Sequence, residues 1–282
     1  MKLSQAKNIV AASIDSQIQN ATGRDAQRVI PYLIGGAGLG KTSVIQQIAE
    51  ERDHGCYILS LAQFDAAELG GIIALVDGDA KRIMPHWLAK IIQMASTMTA
   101  VYLFLDELPQ APVSNQNVAA QVVNERRIGE FKLPDNVAIV AAGNRTSDRA
   151  GTNNMPSHLK DRLMFLEIEA DLEDTIAYFM AHKVHEDVTG FLRSRPEFLH
   201  KFDRDANASP SPRSWDRVST ILGWGLPPVE QAEAITGQVG RAACADFMGY
   251  VKLKDHMPDL DKVISNPDSA ALPHDAMVLY AT

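Results

Sequence analysis

The segment GGAGLGKT, at residues 35–42, holds the residue types whose spacing points most directly to chemistry. It fits the phosphate-binding pattern G-x-x-x-x-G-K-[ST]. Its glycines let backbone N–H groups turn toward a phosphate, while the lysine reaches phosphate oxygens and the threonine hydroxyl coordinates Mg²⁺. An apolar run precedes the loop and a helical pattern follows it, which is the context that the motif requires. The predicted nucleotide contacts are Gly35, Gly36, Ala37, Gly38, Leu39, Gly40, Lys41, Thr42 and Ser43.

Two acidic residues, Asp106 and Glu107, follow the apolar run VYLFL at residues 101–105. A strand without polar alternation is typical of a parallel sheet that is covered on both faces. Ligands of such sheets lie beyond the carboxyl ends of the strands. We therefore expect Asp106 to hold the nucleotide-bound Mg²⁺ through its water shell, as a Walker B aspartate does, while the Thr42 hydroxyl coordinates the ion. Glu107 is expected to act as the general base on the attacking water.

Three further polar residues complete the candidate catalytic set. Asn144 follows the next buried strand, VAIVAA at residues 137–142, and is expected to lie beside Asp106 and to orient the same water. Arg162 precedes the last strand, and Arg213 opens a helix in the C-terminal part of the chain. An arginine can stabilise transition-state charge from its own subunit or from a neighbour. Taken by itself, however, each of these two arginines fits a surface charge better.

Hydrophobic periodicity predicts the elements that must position these residues. The first part of the chain is expected to be a helix, and strands are expected at or just after Pro31 and in four later apolar segments. These four segments are 55–61, 101–105, 137–142 and 163–168. Beyond Glu169 only helical patterns and loops follow. The fold class is therefore α/β, with a parallel five-stranded sheet flanked by helices at residues 1–170 and a smaller helical domain with a tail at residues 171–282. Trp87, in a predicted helix, is expected in the core, with a grip on a partner as the alternative.

Composition limits the classes of protein to which the chain can belong. Of 282 residues, 46% are hydrophobic and 22% charged, which is typical of a globular protein. No run reaches the ~18–20 apolar residues of a membrane helix, and the N-terminal segment lacks the apolar core of an export signal. We therefore expect a cytoplasmic protein with no membrane segment and with Cys56 and Cys244 reduced. The net charge of −8 argues against a general electrostatic grip on nucleic acid but does not exclude a local basic pore in a ring.

The ordered set of motifs resembles the AAA+ ATPases and, within them, the MoxR-like group. The resemblance covers most of the chain. The matching segments are IGGAGLGKT (34–42), VYLFLDE (101–107), AAGN (141–144), the DR step at 161–162 and SPRSWDR (211–217). Leu163 departs from the MoxR-like pattern, which usually continues with Phe after the arginine.

This resemblance implies roles for the polar residues and a mode of assembly. It implies a P-loop AAA+ core, in which Asn144 matches the sensor-1 position and Arg213 matches sensor 2 in a helical lid over the nucleotide. Arg162 matches an arginine finger that reaches the γ-phosphate of a neighbouring subunit. Four other arginines compete for that role, namely Arg126, Arg127, Arg145 and Arg149. The resemblance also implies a homo-oligomer, typically a hexameric ring, which acts on a protein client and often with a von Willebrand factor A domain partner.

The expected activity is Mg²⁺-dependent hydrolysis of ATP to ADP and phosphate, coupled to movement of the lid and to chaperone-like remodelling of a protein client. One alternative is a ring that moves or unwinds nucleic acid, which the acidic charge balance disfavours. Another is an ATP-gated assembly scaffold with slow turnover, which Glu107 disfavours. A small-molecule kinase would need an acceptor pocket, of which the sequence gives no sign.

Overall fold

A computed structural model describes residues 1–19, 28–145, 153–203 and 206–254. The chain divides into two compact units, Met1–Asp174 and Thr175–Thr282. The assignment of residues 1–170 to a nucleotide-binding core and of residues 171–282 to a lid stays a prediction. Arg149 and the predicted C-terminal tail after residue 254 lie outside the described residues.

The first unit contains the strands of the described chain. They are β1 (Ile30–Gly35), β2 (Gly55–Ser60), β3 (Ile73–Val76), β4 (Asp79–Arg82), β5 (Val101–Asp106), β6 (Arg127–Ile128), β7 (Phe131–Lys132), β8 (Val137–Gly143) and β9 (Leu163–Ile168). Five of them form one sheet in the order β2-β5-β8-β1-β9, and all neighbouring pairs run parallel. The predicted five-stranded parallel sheet is confirmed. Its central strand, β8, lies between β5 and β1, so it brings the end of VAIVAA beside both the acidic strand and the glycine-rich loop.

Helices of the first unit cover both faces of this sheet. The helices of the described chain are α1 (Leu3–Gln19), α2 (Lys41–Glu51), α3 (Ala66–Gly70), α4 (His86–Thr97), α5 (Val113–Glu125), α6 (Ser157–Lys160), α7 (Leu172–Ala181), α8 (Glu186–Ser194), α9 (Pro212–Leu222), α10 (Pro228–Val239) and α11 (Arg241–Lys254). None of these described helices is long and apolar enough to cross a bilayer.

The two faces of β5 explain why its sequence shows no polar alternation. Leu103 and Leu105 point into a core shared with α4 and α5. Tyr102 and Phe104 point into a second core shared with α1 and α2. Since alternate side chains of a strand face opposite sides, a strand with a core on each face must be apolar throughout.

Several local expectations are refined by the structure. Trp87 is 2% exposed and donates from Nε1 to the Leu69 carbonyl at 2.9 Å, so the core interpretation is confirmed and the partner alternative is wrong. β1 begins at Ile30, one residue before the expected start at Pro31. Asp77 and Gly78 connect β3 and β4 in an antiparallel hairpin that the sequence analysis did not predict.

The second unit is built around aromatic packing. Phe191 of α8 lies with its ring centroid 5.2 Å from that of Trp215 of α9 and 5.4 Å from that of Phe247 of α11. Ser211 caps the start of α9 in a reciprocal pair of hydrogen bonds with Ser214, which explains why this helix begins where the SPRSWDR segment does.

The buried side chain of Gln17 replaces a backbone hydrogen bond that β1 cannot form at Pro31. Pro31 has no N–H, and because Tyr32 lies opposite Ala141, an N–H at position 31 would point to the Ile139 carbonyl. The buried Gln17 of α1 takes that place. Its Nε2 donates to Ile139 O at 2.9 Å, and its Oε1 accepts from Ile139 N at 2.8 Å. Helix α1 is thereby fixed to the central strand of the sheet.

We expect Gln17→Leu to lower the free energy of unfolding of the first unit by about 2–4 kcal/mol, because two buried backbone groups would each lose a partner worth about 1–3 kcal/mol. Urea denaturation measures the change. The matched control is Gln19→Leu, the same substitution at an exposed position of α1, for which the loss should stay below about 0.5 kcal/mol. Equal losses for the two variants would contradict the role given to Gln17.

Candidate functional site

The glycine-rich loop connects the end of β1 to the start of α2 and requires glycine at several points. Gly38 and Gly40 have φ values of 80° and 81°, a left-handed conformation that side chains disfavour. A Cβ on Gly35 would lie 2.6 Å from the Ile168 carbonyl oxygen. Gly40 precedes α2 and has no side chain to cap it, which leaves the first N–H groups of this helix open to an anion.

Lys41 lies inside this loop rather than on the surface. Its side chain is largely buried, with the residue 8% exposed. Its Nζ donates to the carbonyl oxygens of Gly35 and Gly36 at 3.0 and 2.8 Å, and to Asn144 Oδ1 at 3.0 Å. The ammonium group is therefore held at the centre of the loop, where it connects β1 and α2 to the end of β8.

Thr42 and Asp106 meet at the same edge of the sheet. Thr42 Oγ1 donates to Asp106 Oδ2 at 3.0 Å, and Asp106 Oδ1 accepts from the Glu107 backbone N–H at 2.9 Å. A hydroxyl and a carboxylate oxygen are the donor types that Mg²⁺ prefers. The two residues therefore fit the predicted metal ligands, with the carboxylate fixed by the backbone that follows it.

Glu107 adopts an unusual backbone conformation. Its φ of 58° is left-handed, which costs on the order of 1 kcal/mol in a residue with a side chain. Its carbonyl oxygen accepts from the N–H groups of Gln110 and Ala111 at 3.0 and 3.1 Å. The chain is thereby turned sharply from β5 into a tight turn at Leu108–Gln110, and the half-buried Glu107 stands at the corner.

Asn144 contacts both the phosphate loop and the turn that follows Glu107. It follows β8, and its Oδ1 accepts from Lys41. Its Nδ2 and its backbone N–H face the side chain of Gln110, a residue that the sequence analysis did not select. The signal was a single polar residue in the apolar run that follows Glu107.

Arg162 lies at the amino-terminal ends of the strands, whereas the phosphate loop lies at their carboxyl-terminal ends. It directly precedes β9, whose last residue, Ile168, is paired with Gly35. Because a strand rises about 3.3 Å per residue, Arg162 is separated from the loop of its own chain by roughly 20 Å along the strand. Its exposed side chain donates to the His158 carbonyl at 3.2 Å. It is not part of the cluster around Lys41.

The competing arginines differ in their availability. Arg126 is 8% exposed and donates from Nη2 to the carbonyls of Pro134 and Val137, both at 2.7 Å. Burial lowers the pKa of Arg126 to about 10, and its role is to hold its own chain together. It therefore cannot extend to a neighbouring subunit without losing these bonds.

Two other competing arginines are partly exposed, and each is paired with a glutamate. Arg127 pairs with Glu125 at 2.6 Å. Arg145 pairs with Glu167 at 3.1 Å and lies at the same edge of the sheet as the phosphate loop. Arg145 is thus close to its own loop, whereas a finger must reach the loop of another subunit.

Arg213 belongs to the second unit. It lies in the first turn of α9, directly after Pro212, and is exposed. The sensor-2 role that the resemblance implies for Arg213 stays a prediction.

The chain is similar to one family model and to several solved structures. Residues 31–166 match the family model described as "ATPase family associated with various cellular activities (AAA)". Among solved structures, RuvB of Thermotoga maritima, a Holliday junction branch migration motor, is similar at 13% identity and a TM-score of 0.48, with 89% of this chain and 71% of that chain covered. A mutant of the same RuvB gives 12% identity and a TM-score of 0.47, with 89% and 71% covered. Among curated proteins, none matches the sequence.

The matched range runs from β1 into β9, and it contains the phosphate loop, both acidic residues, Asn144 and Arg162. Residues 31–166, which hold the candidate site, are therefore similar to ATPases of the AAA family.

Proposed function

We propose that the protein is a Mg²⁺-dependent ATPase that hydrolyses ATP to ADP and phosphate and works as an oligomer. The single observation that carries this proposal is that four polar side chains meet at one edge of the sheet in two hydrogen-bonded pairs. Lys41 donates to Asn144, and Thr42 donates to Asp106. The general base candidate, Glu107, is bonded through its backbone to the second pair. These are the parts that phosphoanhydride hydrolysis needs.

Lys41 and the loop glycines would hold the phosphates. The Lys41 ammonium now donates to neutral carbonyl and amide oxygens. Charged phosphate oxygens are stronger acceptors, so bound nucleotide would draw these bonds toward itself. When bound to Thr42 and Asp106, Mg²⁺ would neutralise charge on the phosphate oxygens.

Glu107 and Asn144 would act on the attacking water. The Glu107 carboxylate would accept a proton from this water, and the Asn144 amide would fix its orientation. The hydrogen bonds from the N–H groups of Gln110 and Ala111 to the Glu107 carbonyl restrict the position of the general base, since they hold its backbone in the left-handed conformation. A positioned base and water are worth several orders of magnitude in rate, because their ordering precedes the reaction.

Arg162 is proposed as the arginine that acts between subunits. It is exposed and a strand length away from its own phosphate loop, so it can serve only the nucleotide of a neighbour. This supports a homo-oligomer in which each site is completed by the next subunit, and a closed ring, with six subunits as in the MoxR-like group, satisfies this requirement at every site.

We further propose a MoxR-like role, in which nucleotide turnover moves a helical lid at residues 171–282 relative to the core at residues 1–170 and remodels a protein client. The support is the motif set, including SPRSWDR at the start of α9, where Arg213 would sense the nucleotide. A von Willebrand factor A domain partner and a cytoplasmic location belong to the same proposal.

We expect Glu107→Gln to lower the ATPase rate by at least about 100-fold while nucleotide affinity changes by less than about threefold, because the amide cannot accept the proton but retains the shape of the side chain. Phosphate release and the affinity for a fluorescent ATP analogue are the two measurements. Glu50→Gln, at an exposed position of α2, is the control and should keep the wild-type rate. Unchanged turnover in Glu107→Gln would rule out Glu107 as the base.

Subunit mixing tests Arg162 directly. Arg162→Ala and Lys41→Ala should each lower the ATPase rate at least about tenfold at assembling concentrations. A mixture of the two should recover activity, because a Lys41→Ala subunit still supplies Arg162 to an intact site on its neighbour.

Arg127→Ala serves as the control for the same mixing experiment, since Arg127 is an exposed arginine of the same unit. It should retain the wild-type rate. The finger would belong to Arg127 if this variant, and not Arg162→Ala, lost activity and regained it on mixing.

A further inference from the structure

The Gln110 side chain lies between an acceptor and two donors of the proposed catalytic residues. One orientation of its amide satisfies all of them. Its Nε2 then donates to the Glu107 carbonyl at 3.2 Å, and its Oε1 accepts from Asn144 Nδ2 at 3.1 Å and from Asn144 N at 3.3 Å. With the amide reversed, Oε1 would face the Glu107 carbonyl oxygen and Nε2 would face the Asn144 NH₂ group, so like groups would oppose each other.

These bonds determine which end of the Asn144 amide faces the phosphate loop. Nδ2 is occupied by Gln110, and Oδ1 points the other way, to Lys41 Nζ at 3.0 Å. An asparagine amide has a donor end and an acceptor end, and hydrogen-bond surroundings alone decide between them. Lys41, which can only donate, and Gln110 therefore favour the same orientation of the Asn144 amide, and Gln110 holds the end that Lys41 does not contact.

The turn that carries Gln110 is rigid. The Pro109 carbonyl accepts from Asn153 N at 2.8 Å, and the Ala111 carbonyl accepts from Asn153 Nδ2 and Gln116 Nε2, both at 3.0 Å. A Cβ on Gly143 would collide with the Pro109 ring, so β8 and the turn are in direct contact. A side chain held on such a turn can orient its neighbours with little loss of entropy on nucleotide binding.

We propose that Gln110 is a positioning residue that makes Asn144 present its acceptor oxygen, and not its NH₂ group, to the reacting centre. An oxygen in this position attracts a hydrogen of the attacking water, whereas it would repel a phosphate oxygen. Asn144 then orients the water for Glu107, and its direct contact is with the water rather than with the γ-phosphate. This inference rests on the proposed ATPase activity and names the residue that sets the geometry of the same site.

The test is a double-mutant cycle on ATP turnover with Gln110→Ala, Asn144→Ala and the combined variant. We expect Gln110→Ala to lower kcat about tenfold with a change in KM below about twofold, because the loss concerns orientation of the water and not binding of the nucleotide. In the Asn144→Ala background, Gln110→Ala should change kcat less than about twofold, because Gln110 would then have no amide to orient.

Gln110→Met, which keeps the length of the side chain and removes its hydrogen bonds, guards against a folding defect in Gln110→Ala. It should show the same loss of kcat with a melting temperature within about 2 °C of the wild type. Gln93→Met, at an exposed position of α4, is the matched control and should behave as the wild type.

The outcomes separate this inference from the proposed function. Equal losses of kcat from Gln110→Ala in both backgrounds, or a wild-type kcat in Gln110→Ala and Gln110→Met, would overturn the positioning role while the ATPase activity stands. A wild-type chain that hydrolyses no ATP in its assembled form would overturn the proposed function, and the role of Gln110 with it.

Discussion

The Lys41 ammonium group, held by two loop carbonyls and by the Asn144 amide, is the interaction on which the candidate site depends. A buried cation is stable only where acceptors surround it, and here the acceptors come from the ends of two neighbouring strands and the loop between a strand and a helix. Neutral oxygen atoms therefore surround the Lys41 ammonium group, and they bind it less strongly than a phosphate would. Without nucleotide the same bonds keep the loop in shape.

The order of the strands makes this interaction available. β8 lies between β1 and β5, so Asn144 is next to the phosphate loop on one side and the acidic strand end on the other. Gln17 fixes α1 to β8 at the point where Pro31 cannot bond. The Ile139 N–H and carbonyl of the central strand thus both have partners, which helps to hold the strand that Asn144 follows.

Much of the core and of the site could be predicted from the sequence because the signals are local. Buried parallel strands are continuous apolar runs, and the phosphate loop, Asp106 and Asn144 each occur at the end of such a run. The β3–β4 hairpin was missed because its strands have four residues each, of which those in β4 are mostly charged.

The roles of Gln17, Gln110 and Arg126 depend on partners that no local pattern shows. Gln17 forms hydrogen bonds to a strand that is distant in sequence. The Gln110 amide matters only because β8 brings Asn144 next to it. The sequence around Arg126 suggests a surface charge, whereas in the structure its guanidinium donates to a carbonyl of the segment that follows. Long-range contacts of polar side chains lack the periodicity that identifies helices and strands.

We propose that this edge of the sheet is a Mg²⁺-dependent nucleotide site organised by Lys41. Calorimetric titration with ATP, with and without Mg²⁺, tests it most directly in the wild type, in Lys41→Met and in Lys90→Met, a control at an exposed position of α4. We expect Mg²⁺-dependent binding in the wild type and the control, and binding at least about thirtyfold weaker in Lys41→Met, since charge-assisted hydrogen bonds contribute about 1.5–3 kcal/mol each. Equal affinity of Lys41→Met and the wild type, or no binding by the wild type, would contradict it.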